Sequence, residues 1–481
     1  MASKAKIGLR VRQLIGIAAA LGALLLLAQC VVMPDAGELP AGRGQAEAST
    51  AHGWRTYEES RAAIQGIKDG QAHEDYLAEH LAVERAIADG PLRKGNAIDM
   101  YTDGESAYDA MEAAIRGARH FIHLESYIFE DDEIGRRFTD LLIAKRREGV
   151  AVAVIVDGVG SLAVSEDMLQ GMKAEGLQVL IFNSLNPFSD TGQWNPNRRN
   201  HRKVLIIDGK IGFIGGINIS DVYSSGSAGG SGASGRGKAP RQAATSASAE
   251  DPPWRDTHIR IEGPAVADLV KVFLWAWETQ KGPLLEKRPF FPRIDEAGPH
   301  TVRILANQPG EDQGHSIYLA LMSAIGSARE SIYVTMAYFV PDPAFIKALR
   351  QAARRGVEVV LILPGFSDSA MVFHAGRSHY QDLMRAGVRI HERHDVLLHA
   401  KTAVIDGVWS TVGSSNLDWR SFLLNYEINA VVLGRQFGAR MQADFKEDLA
   451  LSDRVDEQVW ANRGFYLRFM EFLSRIWERW L

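Results

Sequence analysis

Short β-branched runs alternate along this chain with segments of helical period, and they do so twice. The first pass reads AIRGARHFIHLESYIF at 114–129 and RREGVAVAVIVDG at 146–158. The second reads AIGSARESIYVTMAYF at 324–339 and ARRGVEVVLILPG at 353–365. Apolar runs of this length, bounded by glycine, predict buried strands, and the 3.6-period segments beside them predict covering helices. Gly149 answers Gly356, and Gly158 answers Gly365. The alternation predicts an α/β protein with mixed sheets flanked by helices. A period of about 200 residues is far too long for a solenoid and predicts two similar domains about a pseudo-twofold axis.

Other stretches break this rhythm. Positions 14–32 are apolar on every face and follow a stretch with Lys4, Lys6, Arg10 and Arg12 and no acid. Nineteen helical residues span about 28 Å, close to one bilayer core. Residues 1–33 therefore predict a cytoplasmic stub and a membrane segment, with the rest of the chain on the periplasmic or outer side. A retained single anchor is the first reading. A lipoprotein anchored at Cys30 and a cleaved signal are the others; LAQC at 27–30 resembles a bacterial lipoprotein cleavage box, from which Gln29 departs because the residue before the cysteine is normally small. Residues 34–95 read as a tether and helical lead-in, 96–295 as the first α/β domain and 296–459 as the second. Within the first, residues 224–250 offer no bulky apolar side chain and predict a disordered insert. Residues 460–481 predict an amphipathic helix with Phe465, Phe469, Phe472, Leu473, Ile476 and Trp480 on one face. That face fits two placements: against the domain, or in a membrane interface.

Composition narrows the class. Hydrophobic residues make up 46% of the 481 and charged residues 23%, which excludes a mostly disordered chain and a polytopic transporter. Lys and Arg number 54 against 59 Asp and Glu, a net charge of −5, so nucleic acid is not expected as a partner. A single cysteine excludes a disulfide framework and a cysteine-rich zinc site.

The chemistry-bearing signal is also doubled. His201, Lys203 and Asp208 are followed by Asn218; His399, Lys401 and Asp406 are followed by Asn416, at identical steps of 2, 7 and 17 from the histidine. Residues i and i+2 of a strand project to one face, so each His and Lys share one space. An imidazole beside an ammonium suits a phosphate: a nucleophile or proton carrier, and a charge clamp. Each Asn follows glycine or small residues and has an amide that can donate to a phosphate oxygen. Each Asp lies in an Asp-Gly pair, a hairpin-turn signal, so a catalytic and a turn-forming role both stand. WRDTHIRIEG at 254–263 aligns with NYEINAVVLG at 425–434, which sets Asp256 opposite Glu427. His201 to Asp256 is 55 residues and His399 to Glu427 is 28; the difference of 27 is the length of the 224–250 insert. An acid there can accept the second imidazole N–H and fix the tautomer. His258, on the same strand as Asp256, reads as structural, with a pocket position the other reading.

The doubled H-x-K-x4-D with its trailing Asn resembles the phospholipase D superfamily over about residues 96–481. LESYIF at 124–129, NRRNHRK at 197–203, WRDTHIRIEGPAV at 254–266, YFVPD at 338–342 and GSSNLDWRS at 413–421 look like its bacterial cardiolipin synthase branch. The resemblance implies two phospholipase D-like domains with one active site at their interface, no metal and no other cofactor. It implies phospholipid substrates at a membrane, with cardiolipin made from phosphatidylglycerol through a phosphohistidine. It further implies His201 as nucleophile and His399 as acid and base, with Lys203, Lys401, Asn218 and Asn416 on the phosphate oxygens. Asp256 and Glu427 would orient the histidines, crosswise between the halves. A hydrolytic phospholipase D of the envelope is the alternative, and a nuclease of the superfamily a more distant one. A non-catalytic scaffold would be expected to lose a motif His or Lys, and all four are present.

Overall fold

The computed structural model describes residues 48–50, 53–54, 90–185, 195–226, 252–309 and 315–480. The expected membrane segment, most of the 34–95 lead-in and residues 227–250 of the insert lie outside these residues. Residues 224–226 close a 3-10 turn, Asp221–Gly226. Among the described residues no helix is long and apolar enough to cross a membrane.

The expected repetition is seen strand by strand. In the first half the sheet runs Gln178–Phe182, Ala151–Asp157, Phe121–Ser126, Val204–Ile207, Ile211–Gly215, His258–Glu262 and Leu92–Tyr101. The first three strands are mutually parallel and the other pairings antiparallel. The second half repeats this order with Arg389–Arg393, Glu358–Pro364, Ser331–Met336, Lys401–Ile405, Trp409–Gly413, Glu427–Leu433 and His300–Asn307. Leu92–Tyr101 and His300–Asn307, the last strand of each half-sheet, pair antiparallel and join the halves in one sheet.

Local chemistry fixes the helices at matching places. Asp132 caps Glu133–Arg147 by accepting the Gly135 N–H, and Asp342 caps Pro343–Arg354 by accepting those of Ala344 and Phe345. These helices stop before Gly149 and Gly356, at φ of +91° and +95°, a left-handed conformation that a Cβ would strain. The Val266–Thr279 helix carries the core across the join: Phe273 and Trp277 share one apolar cluster with Val404, Val412 and Ile428 of the second half.

The C-terminal region departs from expectation. The continuous helix predicted over 460–481 is a short helix Glu457–Ala461, a break, the helix Phe465–Ile476 and a 3-10 turn Glu478–Trp480. Gly464, which has no side-chain cap to offer, starts the longer helix, and Asp456 caps the shorter one. Packing of the apolar face against the domain is contradicted. Phe465, Phe469, Phe472 and Ile476 are exposed, and the buried residues of the helix are Glu471 and Ser474.

Candidate active site

Each histidine stands just before a buried strand, and its backbone is tied to the other half. The His201 N–H donates to the Tyr426 carbonyl at 2.9 Å, and the Tyr426 N–H donates to that of Arg199 at 2.8 Å. By the same pattern the His399 N–H donates to the Arg255 carbonyl at 2.7 Å, and the Leu397 N–H to that of Pro253 at 2.8 Å. Tyr426 and Arg255 immediately precede Glu427 and Asp256, so the bridge that anchors each histidine also delivers its acid. His201 Nδ1 lies 3.0 Å from both Glu427 oxygens, and His399 Nδ1 lies 2.7 Å from Asp256 Oδ2. All four side chains are buried.

The electrostatics set the protonation. Burial works to raise both carboxyls, yet Lys401 and His399 hold Asp256, and His201 and Lys203 hold Glu427, below the ordinary carboxylate range. An ionised carboxylate accepts only, so each Nδ1 carries the hydrogen and each Nε2 keeps its lone pair. Burial lowers both imidazoles, that of His399 to about 4, and each also feels both ammonium groups. The two motifs therefore share one field. Burial likewise lowers Lys203 to about 7 and Lys401 to about 8, against the pull of nearby carboxylates. Each lysine donates to the carbonyl of its own histidine, Lys203 at 2.5 Å.

The motif aspartates take the turn positions. Asp208 and Asp406 adopt φ of +53° and +52° and begin the hairpin turns that their Asp-Gly pairs signal. Asp208 accepts the N–H groups of Arg119, His120 and Phe121 at 2.7–2.8 Å. Asp406 accepts those of Arg329, Glu330 and Ser331 at 2.8–3.2 Å. These carboxylates tie down the strand starts at Phe121 and Ser331, a structural role for the motif aspartates. The asparagines are narrowed too. Asn218 Oδ1 accepts the Ile128 N–H at 3.0 Å and Nδ2 donates to the Tyr223 hydroxyl at 2.6 Å, which leaves one amide hydrogen for a ligand. Asn416 is buried and its Oδ1 has no hydrogen-bond partner among the described residues. His258 is a packing residue: among the described residues both ring nitrogens lack partners, and burial lowers it to about 3.

Several site residues escape the sequence reading. Tyr127 turns its edge to His201 at 4.9 Å, and Lys203 Nζ lies 5.1 Å from its ring centre. Trp254 and Tyr223 line His399 at 5.1 and 5.8 Å. Ser414 donates to Glu427 at 2.5 Å. Asp418 caps the Trp419–Leu423 helix; burial first, with the like charge of Glu427, pushes its carboxyl up to about 7. Tyr127, Trp254, Ser414 and Asp418 sit inside motif segments already noted, but an aromatic or hydroxyl beside a strand reads as ordinary core. Among the described residues no group of three or more His, Cys, Asp or Glu is placed to hold a metal ion.

Duplicated α/β halves that each lend an acid to the other's histidine define the phospholipase D class. A family model described as "Cardiolipin synthase, PLD-like domain" matches residues 111–225 and 321–449. The cardiolipin synthase of Halalkalibacterium halodurans is 34% identical over 397 residues, 81% of this chain and 73% of its own length. Cardiolipin synthase 1 of Bacillus cereus is 33% identical over 436 residues, 87% of this chain and 81% of its own. The chain belongs to the cardiolipin synthase family of phospholipase D-like enzymes. Phosphatidylserine synthase of Haemophilus influenzae Rd KW20 shares the fold, with a TM-score of 0.60 at 13% identity over 83% of this chain and 97% of that one.

Proposed function

We propose that this enzyme makes cardiolipin by transferring a phosphatidyl group between two phosphatidylglycerol molecules. The observation that carries the reading is the pair of crosswise acid–histidine contacts within the field of two buried lysines. His201 Nε2 attacks the phosphorus of the first lipid, and the bond to glycerol breaks. His399 gives its Nε2 proton to the departing oxygen. The terminal hydroxyl of the second lipid then loses its proton to His399 and attacks the phosphorus. The P–N bond breaks, and cardiolipin leaves with His201 restored. Splitting the exchange in this way returns every proton to its starting place.

Burial favours neutral imidazoles, whereas the first step needs a protonated His399. The substrate supplies the change. Burial lowers His399 most and the two ammonium groups add to it; a phosphodiester anion between Lys203 and Lys401 offsets that added like charge, and Asp256 stabilises the imidazolium. Lys203, Lys401 and the remaining amide hydrogens of Asn218 and Asn416 serve the phosphate oxygens. Residues 14–32 serve as the membrane anchor, with the catalytic halves on the periplasmic or outer side; lipidation at Cys30 would hold them on that side as well.

Product analysis tests this. The full chain in phosphatidylglycerol vesicles should yield cardiolipin and glycerol in equal amounts, and His201→Ala should yield neither. Phosphatidic acid as the sole lipid product would replace transfer by hydrolysis.

A further inference from the structure

The Phe465–Ile476 helix is built the wrong way round for a soluble surface. Phe465 is 83% exposed, Tyr466 69%, Phe472 63% and Ile476 58%, while Glu471 is 4% exposed. A polar clamp holds it so: Arg463 pairs with Glu471 at 2.5 Å. Arg463 and Arg377 both lie over the Trp460 ring, at 4.9 and 4.8 Å. With the acids turned inward, the charges left outside are basic: Arg468, Arg475 and Arg479 are exposed, Arg475 only 3.9 Å from Glu478.

Position adds to this. The helix packs on Ala370–Arg377, whose Met371 is exposed as well. The turn after it packs on Trp419–Leu423, with Arg479 5.5 Å from the Trp419 ring centre. That helix begins at its cap, Asp418, two residues after Asn416. The exposed apolar face therefore adjoins the element that walls the active site.

We propose that this helix lies in the interface of an anionic bilayer, its phenylalanines at the acyl boundary and its arginines among the headgroups, and so sets the site mouth at the lipid surface. An apolar face rimmed by cations fits such a surface. The inference rests on the lipid-substrate reading above and adds where the protein meets the lipid.

The test uses the full chain with Cys30→Ser, labelled with an environment-sensitive fluorophore at Phe469→Cys or, as a control, at Lys173→Cys on the first half. Both are reconstituted in phosphatidylglycerol-containing vesicles with brominated acyl chains. Quenching at 469 and not at 173 is expected. An unquenched 469 label overturns the proposal, and disulfide cross-linking between 469 positions of two copies would assign the face to a dimer instead. Phe465→Ser with Phe472→Ser should lower turnover of vesicle lipid by about tenfold or more and leave turnover of short-chain, monomerically dispersed lipid unchanged. Equal loss on both substrates also overturns it. Cardiolipin formed with 469 unquenched would sink docking alone; quenching at 469 without any lipid product would sink the activity and leave docking standing.

Discussion

His201 Nδ1 lies 3.0 Å from both carboxylate oxygens of Glu427, a residue 226 positions further along the chain. The mirror contact, His399 to Asp256, uses a shorter acid and a different neighbour. Where Ser414 donates to Glu427, the first half has Gly216, and a Cβ there would stand 2.1 Å from Asp256 Oδ1. The halves thus meet one requirement, a fixed Nδ1–H tautomer, with two residue pairs: Ser with Glu, and Gly with Asp.

Glu427→Gln should therefore act on the chemical step. The amide can meet Nδ1 with either end, so the tautomer is no longer fixed and the charge that supports an imidazolium is gone. Steady-state kinetics should show kcat lower by about 10²–10⁴, the range for a lost acid–base function, at nearly unchanged KM. Ser414→Ala, which leaves the carboxylate in place, should cost far less. An equal fall from both substitutions would contradict the role given to Glu427.

The lysines give the pH dependence its sign. Burial lowers Lys203 to about 7 and Lys401 to about 8, so rising pH removes positive charge from the site through that window. A phosphodiester then binds more weakly, and kcat/KM should decline there. In the complex the bound anion favours each ammonium, so the alkaline limb of kcat should lie at higher pH than that of kcat/KM. Coincident limbs would mean that lysine ionisation does not govern binding.

Asp208→Asn and Asp406→Asn should destabilise without disabling. Each native carboxylate gathers three backbone N–H groups at a strand start, and an amide offers one oxygen in place of two. A loss of about 1–3 kcal/mol per substitution is expected from groups left unpaired. Thermal unfolding should shift down while kcat per folded molecule stays near that of the parent. A collapse of kcat in fully folded protein would return these residues to the chemistry.

Those aspartates mark how far the sequence could be read. A strand period of two placed each His and Lys on one face, and the register of the internal repeat singled out Asp256 and Glu427 far from their partners. Both are regularities carried along the chain. For Asp208 and Asp406 the spacing left a catalytic and a turn-forming role both standing, because it does not say which way a turn residue points. Tyr127 and Trp254 come to the histidines through tertiary packing, which leaves no periodic trace. The C-terminal helix shows the same limit. Its period states which residues share a face, but the inward pull of Glu471 towards Arg463 decides where that face looks.

Gly216 offers the sharpest division of labour between the histidines. In Gly216→Ala the added methyl collides with Asp256, whose Oδ1 also accepts the Thr257 N–H at 2.7 Å, so the carboxylate cannot turn aside without losing both contacts. His399 loses its support while His201 keeps Glu427 and Ser414. With phosphatidylglycerol as donor, both half-reactions need His399 and both should slow. A phosphatidyl ester of nitrophenol separates them, because its leaving group departs without a proton. Rapid mixing should then show a burst of about one nitrophenolate per active site followed by a stall, for His399→Ala and, less completely, for Gly216→Ala. His201→Ala should show no burst. A burst that survives His201→Ala and vanishes with His399→Ala would reverse the two roles and place the covalent intermediate on the second half of the chain.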